Sequence, residues 1–388
     1  MPPPTLALCL EYPLAMRGGV SVLVETLIAG LADEFRIVLV SPDDARDLAE
    51  HPVASLVARH LDWNPGEVST ATSRALVERL VAEGCDLAHF HLGGVFGWGI
   101  RFPGQSPFGF AAKAGIAVCS TVHLTVSLLD GFCGPQKPLW FKLALLPVAW
   151  LGKLGALRHA RAEIAVSRFD EARLRRWYAP LAGRFRQIYH SRLSLGTESP
   201  TAARSTTILN VGHLAHRKGQ HVLVDAFARI ATRHPQWQLQ LVGPHDDAAS
   251  VERVRAMIER AGLRARVQLS GSRDDAIELM RTAGIYVQPS LEEALGRALQ
   301  EALFEGCPAI GSDAGGIPEL IADGDNGLLV PKGDAGALAD ALDRLITDAE
   351  LRARLGARAR PSIVERGMLA DAMVARHREL YREILASR

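Results

Sequence analysis

Short apolar runs recur along the whole chain, and the stretches between them carry apolar residues three and four positions apart. In the first half the runs are Leu6–Tyr12, Arg36–Pro42, Leu87–Leu92, Ala117–His123, Ala162–Ser167 and Arg186–Ser191. In the second half they are Thr206–Val211, Trp237–Gly243, Arg266–Gly271, Gly284–Ser290, Cys307–Asp313 and Gly327–Pro331. Near-continuous apolar runs separated by helical stretches predict parallel strands covered on both faces. The helical period is clear in His221–Ile230, where Val222, Leu223, Ala226, Phe227 and Ile230 form one stripe. Two such series predict an α/β protein of two doubly wound domains. The polar, small-residue run Ser194–Ser205 is the expected linker, dividing the chain into 1–195 and 196–368. A charged amphipathic helix, Leu369–Leu385 within the segment 369–388, caps the second domain or crosses back to the first. Ligands of open parallel sheets bind beyond the carboxyl ends of the strands, so a cleft faced by both domains is the expected site.

Composition narrows the function classes. The 388 residues exceed what one hydrophobic core organises, and 48% apolar with 22% charged residues excludes disorder and fibrous repeats. A balance of 44 basic against 43 acidic residues argues against a nucleic-acid partner. Cys9, Cys85, Cys119, Cys133 and Cys307 are odd in number and form no C-x-x-C pair. That argues against a disulfide framework or a zinc site and for a reducing compartment. The start MPPPTLALCLEYPL lacks the basic flank of a signal peptide, and the most apolar stretch, Leu143–Leu151, has nine residues and holds Pro147. A membrane span needs about 20 residues, so a cytoplasmic protein is expected.

The passages that carry chemistry follow strands. In Pro289–Gly306 seven residues separate Glu293 from Glu301, and Leu295, Gly296 and Arg297 stand where a helix begins, so free backbone N–H groups there suit an anion. A solvated glutamate at a helix start explains the same spacing. In Ile208–Phe227 a loop between strand and helix carries His213, His216, Arg217 and Lys218, a cationic cluster fit for a diphosphate or simply an exposed basic loop. Gly315 and Gly316 follow another strand, and Gly18 and Gly19 precede the first helix. No G-x-G-x-x-G or G-x-x-x-x-G-K-[ST] occurs, so a nicotinamide dehydrogenase is poorly supported. The D-x-D spacing occurs only as Asp323-Gly324-Asp325, which is not read as a metal site, and no Mg²⁺ requirement is expected. His89 and His91 share one face of a strand and His123 ends the next. Metal ligation by the first two lacks a third ligand of good spacing, and structural hydrogen bonding competes with it.

These passages, in this order, resemble the GT-B-fold retaining glycosyltransferases of family 4 (glycosyl transferases group 1), whose two domains are Rossmann-like. The likeness is strong from Ile208 to Asp334 and looser before. It rests on Glu293 and Glu301 in their P-S-x-x-E context, on the VGHLAHRKG loop and on GGIPE. It implies transfer of a sugar from a nucleotide-sugar donor, with net retention and without a metal. Glu301 would hold the ribose hydroxyls, Glu293 would lie against the donor sugar and Lys218 would pair with the diphosphate. Gly18 and Gly19 would let the first loop close over the phosphates, and His123 would contact the sugar. Gly271, Ser272 and Arg273 would lie near the base. The chain departs from the family where His213 replaces an arginine, which Arg217 is placed to offset, where Leu295 replaces an aromatic residue, and where His190-Ser191 replaces Asn-Gly.

Charge is uneven within the first half. Residues 1–100 hold 6 basic against 13 acidic residues, net −7, whereas residues 101–192 hold 14 against 4, net +10. Within Gly134–Arg161, Trp140, Phe141, Leu145, Leu146 and Trp150 alternate with Lys137, Lys142, Lys153 and Arg158. That composition suits peripheral contact with an anionic membrane, on its inner face, delivering a lipid-linked acceptor. A hydrophobic helix pair packed on the sheet is the competing expectation. A saccharide or small-molecule acceptor fits equally. A nucleotide-sugar epimerase of the same fold and a nucleotide-sugar binder without transferase activity are the rival functions.

Overall fold

The computed structural model describes residues 2–15, 18–100, 102–125, 137–196 and 204–387; Cys133 and residues 134–136 of the basic–aromatic segment lie outside them. Two compact units emerge, Met1–Arg192 with Ala370–Arg388, and Leu193–Leu369. The N-terminal unit holds strands β1 (Thr5–Leu10), β2 (Arg36–Ser41), β3 (Val57–Asp62), β4 (Leu87–Leu92), β5 (Ala117–Val122), β6 (Ala162–Ala165) and β7 (Phe185–Gln187). Their order is β3-β2-β1-β4-β5-β6-β7. The C-terminal unit holds β8 (Thr207–Val211), β9 (Gln238–Val242), β10 (Val267–Leu269), β11 (Ile285–Gln288), β12 (Ala309–Ser312) and β13 (Leu328–Val330), in the order β10-β9-β8-β11-β12-β13. Every pairing in both sheets is parallel.

Both faces of the central strands are covered, which is why they read as unbroken apolar runs. On one face of β1, Leu6, Leu8 and Leu10 pack with Leu23, Leu27 and Ile28 of helix Gly19–Leu31. On the other, Ala7 and Cys9 join a core with Leu76, Phe90 and Phe108. Strand β3 escapes the apolar pattern because it is an edge strand, VARHLD, mostly exposed and paired only with β2. Pro361 interrupts nothing: it lies inside helix Ala349–Glu365. The helix after it, Ala370–Ala386, packs in the N-terminal unit, where Arg378 donates to the Gly30 carbonyl at 2.6 Å and Arg382 pairs with Glu34 at 2.7 Å.

The apolar stretch around Pro147 is longer than its nine most apolar residues suggest. One helix of 21 residues, Leu139–His159, runs through Pro147, replacing the expected helix pair. The hydrogen bond that proline cannot donate would have gone to the carbonyl of Leu143, a residue on the exposed face. Ala149, Gly152, Lys153 and Ala156 form the buried stripe, while Leu139, Trp140, Leu143 and Leu151 are exposed. Among the described residues this is the one helix long and apolar enough to cross a membrane. Two of its lysines are not solvated: Lys142 is buried, and Lys153 is wholly buried against Glu163 of β6.

Glu163 also accepts from Ser120 of β5 at 2.9 Å. Burial pushes the Lys153 ammonium below its ordinary value, against the opposing pull of Glu163. Removing one partner strands the other charge in the core. Lys153→Met alone should therefore lower unfolding free energy by about 3–5 kcal/mol, and Lys153→Met with Glu163→Leu by much less. Urea titration of the three chains checks this; equal losses in the single and double variants would refute it.

Candidate functional site

Sheet order decides which loops meet in the C-terminal unit. Strands β8, β11 and β12 are neighbours, so the loops at their carboxyl ends lie side by side although they are far apart in sequence. The loop after β8 forms a 3-10 turn, His216–Lys218, and Gly219 turns it into helix Gln220–Ile230. The loop after β11 carries Ser290 and Glu293 into helix Arg297–Phe304, with Gly296 at its cap. The loop after β12 holds Gly315 and Gly316 before helix Ile317–Leu320.

Lys218 and Glu293 meet at the centre of this row. The Lys218 Nζ lies 2.6 Å from Glu293 Oε2, with both side chains largely buried. Ser290 Oγ at 3.2 Å and Gln288 Nε2 at 3.3 Å reach the same oxygen. Main chain joins the loops as well, since the Arg217 carbonyl accepts from the N–H groups of Leu291 at 2.8 Å and Glu292 at 3.2 Å. Two glycines permit this closeness. A Cβ on Gly219 would strike the Pro289 carbonyl, one on Gly315 the Glu293 carbonyl, and both residues have positive φ (70° and 57°).

Burial raises the Glu293 carboxyl pKa. The Lys218 charge and hydrogen bond, with Arg217 nearby, more than offset it and hold the group below its ordinary value. Glu301 is buried one helix further in, with the Arg297 guanidinium 3.4 Å away. Both glutamates act on one neighbour: burial, then the charges of Glu301 and Glu293, drive the Tyr286 phenol well above its ordinary value. Tyr286 in turn donates to Gln288 Oε1 at 2.8 Å, so its ring and the Gln288 amide form a polar ladder under Glu293.

The other sequence candidates are placed as follows. His213 is half exposed, and its Nδ1 lies 3.3 Å from Asp246, which follows β9. Leu295 is buried in the loop before Gly296. Gly271, Ser272 and Arg273 follow edge strand β10, two strands from β8. Gly271 accepts from Gly243 at 2.7 Å, and Arg273 is engaged by Asp275. In the N-terminal unit Gly18 caps helix Gly19–Leu31, where Ser21 Oγ accepts its N–H at 2.9 Å. His123 follows β5 and shares a 3.1 Å hydrogen bond with His91 Nδ1. His89 uses both ring nitrogens, with Tyr381 at 2.5 Å and Thr121 at 2.7 Å, so the H-x-H pair is a hydrogen-bonding device. His190 and Ser191 are buried, with the His190 ring 5.0 Å from His123.

Sequence reasoning passed over Gln288, Ser290, Gly219 and Asp246. A buried glutamine at a strand end, in VQPS, is a readable sign of a polar site, because such a side chain demands partners. Asp246 carried none beyond following a strand.

A family model described as glycosyl transferases group 1 matches residues 197–361, and one described as glycosyltransferase family 4 matches residues 17–191. The lipopolysaccharide core biosynthesis glycosyltransferase LpsE of Rhizobium meliloti (strain 1021) is 29% identical over 48% of this chain and 52% of its own length. A D-inositol 3-phosphate glycosyltransferase of Corynebacterium glutamicum (strain R) is 34% identical over 46% of this chain and 43% of its own. The chain thus spans about half the length of these curated relatives. In fold it resembles a glycosyltransferase from Rickettsia africae ESF-5 (TM-score 0.77, 19% identity, 98% of this chain and 99% of that one). It also resembles Anabaena Alr3699/HepE in complex with UDP-glucose (TM-score 0.74, 21% identity, 97% and 99%).

Lys218→Met leaves Glu293 buried without its cation and should cost about 2 kcal/mol at neutral pH. A carboxyl held below its ordinary value stabilises the fold above the unfolded pKa, about 4.3 for glutamate, and loses that contribution as pH falls through the folded value. The gap between wild type and variant should therefore narrow as the pH falls below the unfolded glutamate value. Thermal unfolding across pH measures it; a constant gap would remove the ion pair from the account.

Proposed function

The chain belongs to the glycosyl transferases of group 1 and family 4, and on that premise we propose that it moves a sugar from a nucleotide-sugar donor to an acceptor, with retention and without a metal ion. The observation that carries this reading is the Lys218–Glu293 pair, set between two strand-end loops beside Glu301. Breaking the bond between an anomeric carbon and a diphosphate builds positive charge on the sugar and negative charge on the departing group. Lys218 is the ammonium for that diphosphate, and the backbone at the start of helix Arg297–Phe304 adds N–H groups of the same sign. Before the donor arrives, Glu293 neutralises Lys218; the diphosphate competes for the same cation. Glu301 holds the ribose hydroxyls, and Glu293 lies against the sugar. Arg217 stands beside Lys218 and offsets the shorter, half-exposed His213. His123 contacts the donor sugar, with no protein nucleophile assigned.

The donor's base is assigned to the uracil class, because the solved Anabaena protein of this fold carries UDP and UDP-glucose. The acceptor is a lipid-linked saccharide. That choice is supported by the exposed apolar face of helix Leu139–His159, where Trp140 is 71% exposed, and by the basic residues flanking it, Lys137 and Arg158. On this reading the protein works in the cytoplasm, peripherally at the inner face of the membrane.

A thermal-shift screen across UDP-, GDP-, ADP- and CMP-sugars should raise the Tm with UDP-sugars alone, and Glu301→Ala should abolish the rise. In transfer assays Lys218→Met should lower kcat about 100-fold, and EDTA should change nothing. Donor turnover without acceptor would replace the reading with an epimerase, and binding without any transfer would leave a binder. Flotation with phosphatidylglycerol vesicles should carry the wild-type chain and lose Trp140→Glu with Leu143→Glu; no flotation of the wild type would end the membrane assignment.

A further inference from the structure

Three arginines crowd the opposite end of the N-terminal sheet, where β6 and β7 begin. These strands pair in parallel with Glu163 opposite Phe185, so Arg184 falls at the level of Ala162, one residue beyond Arg161, and both arginines line the same cavity. Arg186, two residues beyond Arg184, projects to the same face of β7. The last turns of helix Ala370–Ala386 cover that face with Leu380, Glu383 and Ile384, and together these residues line a cavity of 240 Å³.

The guanidinium groups are held by main chain more than by carboxylates. Arg184 donates to the Ala160 carbonyl. Arg186 donates to the carbonyls of Gly183 at 2.7 Å and Phe185 at 3.2 Å. The one carboxylate in the lining, Glu383, stays 3.9 Å from Arg186, and Arg161 meets none among the described residues. Carbonyls orient a guanidinium without cancelling its charge, so the lining keeps a net charge of about +2. Burial and the neighbouring Arg161 charge both push Arg184 below its ordinary value. Three like charges in one concave site, without matching carboxylates, repel one another until an anion enters.

We propose that this cavity binds a phosphate-bearing anion through Arg161, Arg184 and Arg186, at a site separate from the Lys218–Glu293 pair. Planar guanidinium forks suit the tetrahedral oxygens of a phosphate or diphosphate, and Leu380 and Ile384 offer an apolar wall for whatever carries it. The phosphate belongs either to a soluble metabolite or to a lipid headgroup.

The test uses the full chain in the Lys218→Met background, which silences the proposed donor site, with pyrophosphate as probe at fixed ionic strength. Pyrophosphate should raise the Tm by about 3 °C. Arg161→Gln, which removes an exposed side chain without a carboxylate partner, should lose most of that rise, and Arg186→Gln should do the same. A rise that survives both substitutions, or no rise before them, overturns the proposal unless phosphatidylglycerol vesicles sediment the chain and both substitutions release it. Sedimentation abolished by the substitutions assigns the phosphate to lipid. A pyrophosphate effect with unchanged sedimentation assigns it to a soluble ligand.

Discussion

Lys218 and Glu293 are 75 positions apart in the chain, and their 2.6 Å contact exists because β8 and β11 are adjacent in a parallel sheet. All else at the site hangs on that adjacency. It forces two loops to share main-chain hydrogen bonds through Arg217, and it leaves room for a Cβ neither at Gly219 nor at Gly315. It also sets Gln288 and Ser290 under the Glu293 carboxylate, so one oxygen is gripped by three donors. A carboxylate held this way stays ionised and oriented.

The N-terminal unit handles its buried polar groups by a different rule. Lys153 and Glu163 sit in a core where, among the described residues, they hydrogen-bond each other and Glu163 also accepts from Ser120. The histidines of β4 are tied into side-chain hydrogen bonds: His89 to Thr121 and to Tyr381 of the returning helix, His91 to His123. Burial, with neighbouring imidazoles adding to it, drives His89 and His91 well below the ordinary histidine value, so both are neutral at physiological pH. Neutral rings lie close without charge repulsion, as the His89 and His91 rings do at 4.2 Å between centroids, tilted by 38°.

Much of the architecture was legible in the residues. Each of the twelve apolar runs overlaps a strand, Arg186–Ser191 by only two residues of β7, because the central strands, buried on both faces, leave an unbroken hydrophobic signature. Strand β3 left none, since an edge strand with Arg59 and Asp62 facing solvent reads as a polar loop. Pro147 misleads in another way: proline suggests a break, yet a helix whose remaining hydrogen bonds and packing suffice continues through it, as another does through Pro361. Lys142 and Lys153 read as solvated charges because nothing local distinguishes a buried lysine from an exposed one.

Local information thus settled the alternation of strands and helices, the loops that carry Lys218, Glu293 and Glu301, and the glycines at their turns, since each of these depends on residues within a few positions of one another. Only the folded chain decided which loops became neighbours, which lysine faced a glutamate in the core, and that helix Ala370–Ala386 joins the N-terminal sheet. Those outcomes follow from strand order and from side-chain burial, and both are properties of contacts between residues tens or hundreds of positions apart.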